Sequence, residues 1–273
     1  MAQLIPAEEL KSWLNAWSQR YEQVDFIPLD PISIPHRYES PEDIECVAFM
    51  TATIAWGRRA SILQSAHRMF EPMGNSPVAF LVDANKEDLE SLVWAHRTFL
   101  PEDGLRFMKS LQSWYQKHNS LAHGFELKRG ETDYHAAIDR FRFVFATHWL
   151  DSRSAKHLAS PAQGSAAKRL HLFLRWMVRS SNKGVDFGLW NADPSFLSCP
   201  LDVHSGNVAR ALGLLDRKAN DQKAVLELDL ALRSMDPKDP VRYDFALFGL
   251  GEAGILKEGF AGDAYTDFVP SPR

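Results

Sequence analysis

The chain has 273 residues, 45% hydrophobic and 24% charged, with a formal charge of −4 at pH 7. Such a length and apolar content suit a folded globular protein, either one large domain or two lobes around a cleft, and exclude a disordered chain. No apolar run reaches bilayer length, and "MAQLIPAEELKSW" shows no basic-then-apolar signal, so a cytoplasmic location and no membrane partner are expected. The two cysteines, Cys46 and Cys199, suit a reduced protein and are too few for a four-cysteine iron–sulfur cluster or a zinc ribbon.

Helical spacing dominates in chain order. Leu10, Trp13, Leu14, Trp17 and Tyr21 recur at three- and four-residue steps and predict an amphipathic first helix. In "FIPLDPISIPHRY", Pro28, Pro31 and Pro35 break any regular element. Ser40 can cap the next helix, with Pro41 in its first turn and Asp43 at the capping-partner position; it is expected to run through "IECVAFMTATIAW" to Gly57. "ASILQSAHRMFEPM" follows, stopped by Pro72 and Gly74, and segments near 78–94, 103–117 and 133–150 also carry helical spacing. No apolar/polar alternation is long enough for a sheet. The chain therefore reads as all-α, with about ten helices joined by Pro/Gly punctuation.

Charge is unevenly spread. Between Arg140 and Lys183 there are nine Lys/Arg and one acid, Asp151, the footprint expected of phosphate binding, although basic runs are also common on plain solvated surface. Inside that run lies "SPAQGSAAKRLHLFLRWMVRSSNKG". Ser165 is the expected cap, and Leu170, Phe173, Leu174, Met177 and Val178 form an apolar stripe. Lys168 falls in the first turn, with Arg175 and Arg179 on the same helix face. The helix N-terminus favours a neutral amine, the form a nucleophile needs, and partial burial, if the fold supplies it, would act in the same direction; the bland alternative is a surface lysine.

"PLDVHSGNVARALGLL" opens another helix, with Val208, Ala211, Leu212 and Leu215 as its buried stripe and Gly213 near its end. Asp202 sits at or beside the N-cap, where capping alone would account for a carboxylate. His204 has an equally plain structural explanation. The ten histidines show no HExxH-like spacing, so no catalytic metal is expected.

This stretch resembles the aspartate-bearing segment of the helix-hairpin-helix DNA glycosylases, the endonuclease III superfamily. Asp202 matches the catalytic aspartate and Asn207–Arg210 the helix behind it. "YDFALFGLGEAG" (Tyr243 to Gly254) is similar to the closing helix of the adenine-glycosylase branch, and "VAFMTATIAWGRRASILQSAHRMF" resembles the early helix pair whose junction faces DNA. The likeness spans roughly residues 40–255 in layout. The hairpin signature "LPGVGxKTA" and the cysteine cluster are absent; the archaeal 8-oxoguanine glycosylases are similar in having a divergent hairpin and a long lysine-to-aspartate interval. "GSAAKRLHLFLRWMVR" and "PLDVHSGNVARALGLL" also identify the chain as a member of a family of uncharacterised bacterial proteins with closely similar motifs.

The resemblance implies a two-lobed all-α glycosylase-like fold without an iron–sulfur cluster. Its single unit would cover 1–259, with 40–180 as central lobe, 1–39 plus 195–259 as second lobe and 260–273 as a flexible tail. It implies a DNA base-excision glycosylase without cofactors, acting on damaged duplex DNA, with an oxidised purine such as 8-oxoguanine as the leading base. Lys168 would be the nucleophile and give AP-lyase activity, Asp202 its catalytic partner, with Lys183 and His204 in reserve. If neither lysine serves, water attacks and Asp202 is the main catalytic group. Arg58, Arg59, Arg175 and Arg179 would neutralise phosphates, and Trp56 and Trp190 would stack on bases unless they fill core. Alternatives are a non-catalytic helical nucleic-acid-binding protein and an all-α interaction module.

Overall fold

The computed structural model describes residues 7–92 and 94–253; the tail expected at 260–273, and Gly254 of the closing segment, lie outside the described residues. Among the described residues there are α-helices and 3-10 turns but no strand, only isolated bridges between His96 and Phe99 and between Ser165 and Asp221. The fold is all-α.

Helix α1 (Ala7–Tyr21) leads into three 3-10 turns, Val24–Leu29, Pro31–Ser33 and Pro35–Arg37. Proline's fixed φ suits the first position of the second and third turns, so the proline-rich stretch is ordered in short steps rather than irregular. Helix α2 (Pro41–Thr53) starts where the cap signal places it, with Ser40 Oγ accepting from Asp43 N at 3.2 Å. It stops at Thr53, short of the expected Gly57. The chain then turns at Trp56 and Gly57, whose φ of +99° is left-handed, into α3 (Arg59–Phe70).

The stretch near 78–94 is two helices, α4 (Pro77–Asp83) and α5 (Lys86–Ser91), because Asn85 begins a capping box with Asp88. Then follow α6 (Pro101–Tyr115), α7 (His135–Phe145), α8 (Lys168–Val178), α9 (Val203–Ala211), α10 (Gln222–Met235) and α11 (Tyr243–Glu252).

Two apolar cores result. In the first, α2 is buried on every face from Asp43 to Thr53, and Phe49 meets Phe107, Phe141, Phe145 and Phe173 at ring distances of 5.2–6.2 Å. Each such ring, removed from water, contributes roughly 1.5–3 kcal/mol. The second core joins the two ends of the described chain: Leu10, Leu14 and Trp17 of α1 pack with Val208 of α9, Leu228 of α10 and Leu247 of α11. Helix α11 links them, since Phe245 belongs to the first core and Leu247 to the second. The α2–α3 junction and the N-terminal ends of α8 and α9 open onto one cleft at that seam.

Candidate functional site

Helix α8 does not begin on Ser165. Ser165 Oγ accepts from Ala167 N at 3.1 Å, two residues too early, and the N-cap is Ala167 at φ +44°, ψ +32°. A left-handed alanine costs about 1–2 kcal/mol. That reversal makes Lys168 the first helical residue and directs its side chain across the cleft. Lys168 Nζ lies 3.3 Å from Asp202 Oδ2.

Asp202 is the N-cap of α9. Its Oδ1 accepts from His204 N at 2.8 Å and Ser205 N at 3.0 Å, while its own N–H donates to Ser205 Oγ at 2.9 Å. Asn220 Nδ2 holds its carbonyl at 2.9 Å. Capping and pairing therefore use different oxygens: Oδ1 is spent on the helix, and Oδ2 is left for Lys168. Partial burial disfavours the carboxylate, but the Lys168 ammonium and the two backbone N–H groups outweigh it and hold the Asp202 carboxyl below its ordinary range. The side chains of Lys168 and Asp202 are 31% and 35% exposed, so the pair is reachable from solvent.

The pair lies on the wall of a cavity of about 710 Å³. Phe26, Trp56, Phe245 and Phe248 supply aromatic surface, and Asp30, Arg175 and Asp244 lie at its base. Asp244 is buried, with Oδ2 2.5 Å from Arg175 Nη1 and Oδ1 accepting from the Cys199 thiol at 3.8 Å. Asp30 caps a 3-10 turn by accepting from Ile32 N at 3.0 Å. Burial raises both carboxyls above their usual range, against the pull of Ile32 N–H on Asp30 and of Arg175 on Asp244. These two acceptors were not legible in the sequence, because each sits in a segment with an adequate local explanation.

The structure brings together Lys168, Asp202, His204, Trp56, Arg58 and Arg59 around this cavity. Arg58 is exposed; Arg59 is bridged to Glu252 at 3.1 Å and lies 4.6 Å over Phe248. Other expectations need correction. Arg175 and Arg179 are each 3% exposed and cannot face a phosphate backbone. Arg175 pairs with Asp186 and Asp244, and Arg179 with Glu22, Asp186 and Asp239. Burial opposes the charge on Arg179, but the hydrogen bonds to Asp239 and the nearby carboxylates keep it firmly protonated. Lys183 is exposed on a 3-10 turn outside the cavity lining. Trp190 is a core residue: its ring packs on Phe125 and Phe173, and its Nε1 donates to Glu45 at 3.2 Å.

The basic run also dissolves in three dimensions. Arg140 is taken up by Glu131, Arg153 by Asp103 and Glu102, and Arg142 by the Leu158 carbonyl. Arg169 donates to the Thr53 carbonyl and lies 4.8 Å over Trp56, with burial pushing its pKa down to about 10. Five of the nine cations, Arg140, Arg153, Lys168, Arg175 and Arg179, thus meet carboxylates from outside the run, and Arg142 and Arg169 meet backbone carbonyls. Arg97, at the cavity edge, lies outside that run and was missed.

Among the described residues, no group of three or more His, Cys, Asp or Glu side chains is arranged to hold a metal ion, and no helix is long and apolar enough to cross a membrane. No curated protein and no solved structure matches the chain. A family model does match, over residues 30–253, which include both partners of the Lys168–Asp202 pair and the α2–α3 junction. The chain belongs to the family described as protein of unknown function (DUF2400).

Proposed function

We propose that this protein is a DNA base-excision glycosylase with an associated AP-lyase step, built on the two-lobed helix-hairpin-helix glycosylase layout and acting on an oxidised purine such as 8-oxoguanine. One observation carries it: an amine and a carboxylate 34 positions apart in sequence meet at 3.3 Å, part-exposed, on the wall of an aromatic-lined cavity.

A base inside a duplex is out of reach of such a pair, so the nucleotide must leave the stack. The cavity falls in the range of roughly 300–1,000 Å³ common for sites that enclose a small ligand. Asp202 Oδ2 takes a proton from Lys168, and the freed lone pair attacks C1′ of the deoxyribose. The C1′–N bond breaks, and the base leaves with its electron pair and gains a proton from solvent. Positive charge developing on the sugar faces a carboxylate already fixed by two backbone N–H groups, which is electrostatic preorganisation. The nitrogen lone pair then forms a C=N bond as O4′ departs and is protonated. Loss of a C2′ proton expels the 3′ phosphate, and water hydrolyses the imine to return the lysine. Asp30 and Asp244 offer acceptors for the N–H edge of a bound purine.

Borohydride reduces the imine to a stable amine and so traps the complex. With duplexes containing 8-oxoguanine, uracil, hypoxanthine or an abasic site, the expected result is a covalent adduct, absent in Lys168→Ala and retained in Lys183→Ala. Base release without an adduct would transfer the attack to water; absence of both with every duplex would overturn the proposal.

A further inference from the structure

We infer that Arg97, together with Arg58, forms a clamp for a nucleic-acid backbone phosphodiester at the mouth of the Lys168–Asp202 cavity. The inference rests on reading that cavity as a DNA site.

Arg97 occupies a backbone position that its residue type disfavours. It is the first central residue of a two-residue turn closed by His96 N to Phe99 O at 2.9 Å and Phe99 N to His96 O at 2.8 Å. Its φ is +54°, a left-handed value that such turns usually assign to Gly, Asn or Asp. Only one other non-glycine among the described residues has positive φ: Ala167, directly before Lys168. Arg97 lines the cavity and Ala167 directly precedes its lining residue Lys168, and strain of this kind collects where a side chain must be held in a particular place.

The turn is fixed on all sides. His96 Nε2 meets the Trp56 carbonyl at 2.9 Å and His96 Nδ1 meets Ser65 Oγ at 3.0 Å. Phe99 is buried and stacked on Trp94 at 4.9 Å, and the Thr98 carbonyl accepts from Arg153 at 2.7 Å. The Arg97 side chain itself is exposed and makes no hydrogen bond or ion pair among the described residues, so the fold draws nothing polar from it.

Its guanidinium lies against Gly57. A Cβ on Gly57 would fall 2.7 Å from Arg97 Nη1, so glycine at that point is what lets the arginine lie across the Trp56–Arg58 turn. Two residues in left-handed conformation, Gly57 and Arg97, together set this one side chain in place.

Charge balance around the cavity points the same way. Lys168 is paired with Asp202, Arg175 with Asp244, and Arg59 with Glu252. Arg58 and Arg97 are left, facing one further lining carboxyl, Asp30, whose Oδ1 is engaged by Ile32 N. Two unpaired guanidiniums on a rigid rim match the two free oxygens of a phosphodiester, which arginine binds through parallel N–H donors. Pulling one backbone phosphate to this rim would bring the adjoining sugar toward Lys168.

The full chain is titrated with a duplex carrying a tetrahydrofuran abasic analogue, which cannot form an imine, by fluorescence anisotropy between roughly 50 and 200 mM salt. Arg97→Gly removes the guanidinium and relieves the left-handed strain, so it keeps the fold; thermal melting verifies this. The expected result is binding weakened several-fold, with the slope of log K against log salt reduced by about 1. Arg58→Ala should do the same, and Arg68→Ala, an exposed arginine outside the cavity lining, should leave the slope unchanged. Wild-type affinity and slope in Arg97→Gly would overturn the clamp, as would failure of the wild-type protein to bind the duplex. If the wild type binds and Arg97→Gly loses slope, but borohydride traps nothing, the clamp stands and the lysine chemistry falls. If trapping succeeds and the slope is unaltered, only the clamp falls.

Discussion

Asp202 and Asp221 perform the same local task with nearly the same backbone, at φ −124° and −123° respectively. Each caps a helix, α9 or α10, by accepting backbone N–H groups, and each carboxyl also meets a cation. For Asp221 the cation is Arg217, four residues away on the surface. For Asp202 it is Lys168, brought from the first turn of another helix into a cavity. A capping signal therefore says nothing about chemistry. What separates the two is where the partner comes from and whether the pair faces a space a substrate can enter.

Activity should separate the two caps most sharply. Asp202→Asn keeps an Oδ1 acceptor for the helix but removes the proton acceptor and the charge, and should lower base release or adduct formation by about 10²–10⁴-fold. Asp221→Asn should stay near wild type, within about two-fold. Equal losses would erase the distinction. Stability should divide the cations on α8 in the opposite sense. Arg175→Met strands the buried Asp244 carboxyl, leaves Asp186 to Arg179 alone, and should cost about 3–5 kcal/mol, read by denaturant unfolding. Lys168→Met breaks a part-exposed pair and should cost about 0–1 kcal/mol.

Acid titration should move the two aspartates alike, and by the least. Arg217 lowers the Asp221 pKa through its hydrogen bond; Lys168 and the cap lower that of Asp202 against partial burial. A carboxyl depressed on folding contributes stability above its unfolded value of 3.8, lost as pH falls through the folded value. Melting temperatures should therefore drop below about pH 4 in the wild type, and less steeply in Asp202→Asn and Asp221→Asn. An unchanged acid slope in either variant would show that its carboxylate is not held in the folded protein.

The sequence made the helices legible where local signals act alone. Ser40, Pro41 and Asp43 mark the start of α2 correctly, and the apolar stripe of α8 is buried as its spacing predicts. The Lys168–Asp202 pair could be named only through the family resemblance of its two segments, since a helix start by itself accounts for either residue. Long-range pairing was not legible: Arg175 and Arg179 look like exposed cations until Asp186, Asp239, Asp244 and Glu22 close around them. Trp190 looks like Trp56, yet only Trp56 lines the cavity. The α8 cap was placed two residues early because a left-handed alanine has no composition signal. Arg97 escaped for the same reason, since its importance lies in a φ angle and in a glycine far away in sequence.

The most direct measurement is to reduce the protein with borohydride on an 8-oxoguanine duplex, digest the adduct and locate the sugar-derived mass by peptide mapping. The mass should be found on the peptide bearing Lys168, and on no other. A modification on Lys183, on the chain's amino terminus, or on no peptide although the base has been released, would contradict the assignment of Lys168 as the attacking amine.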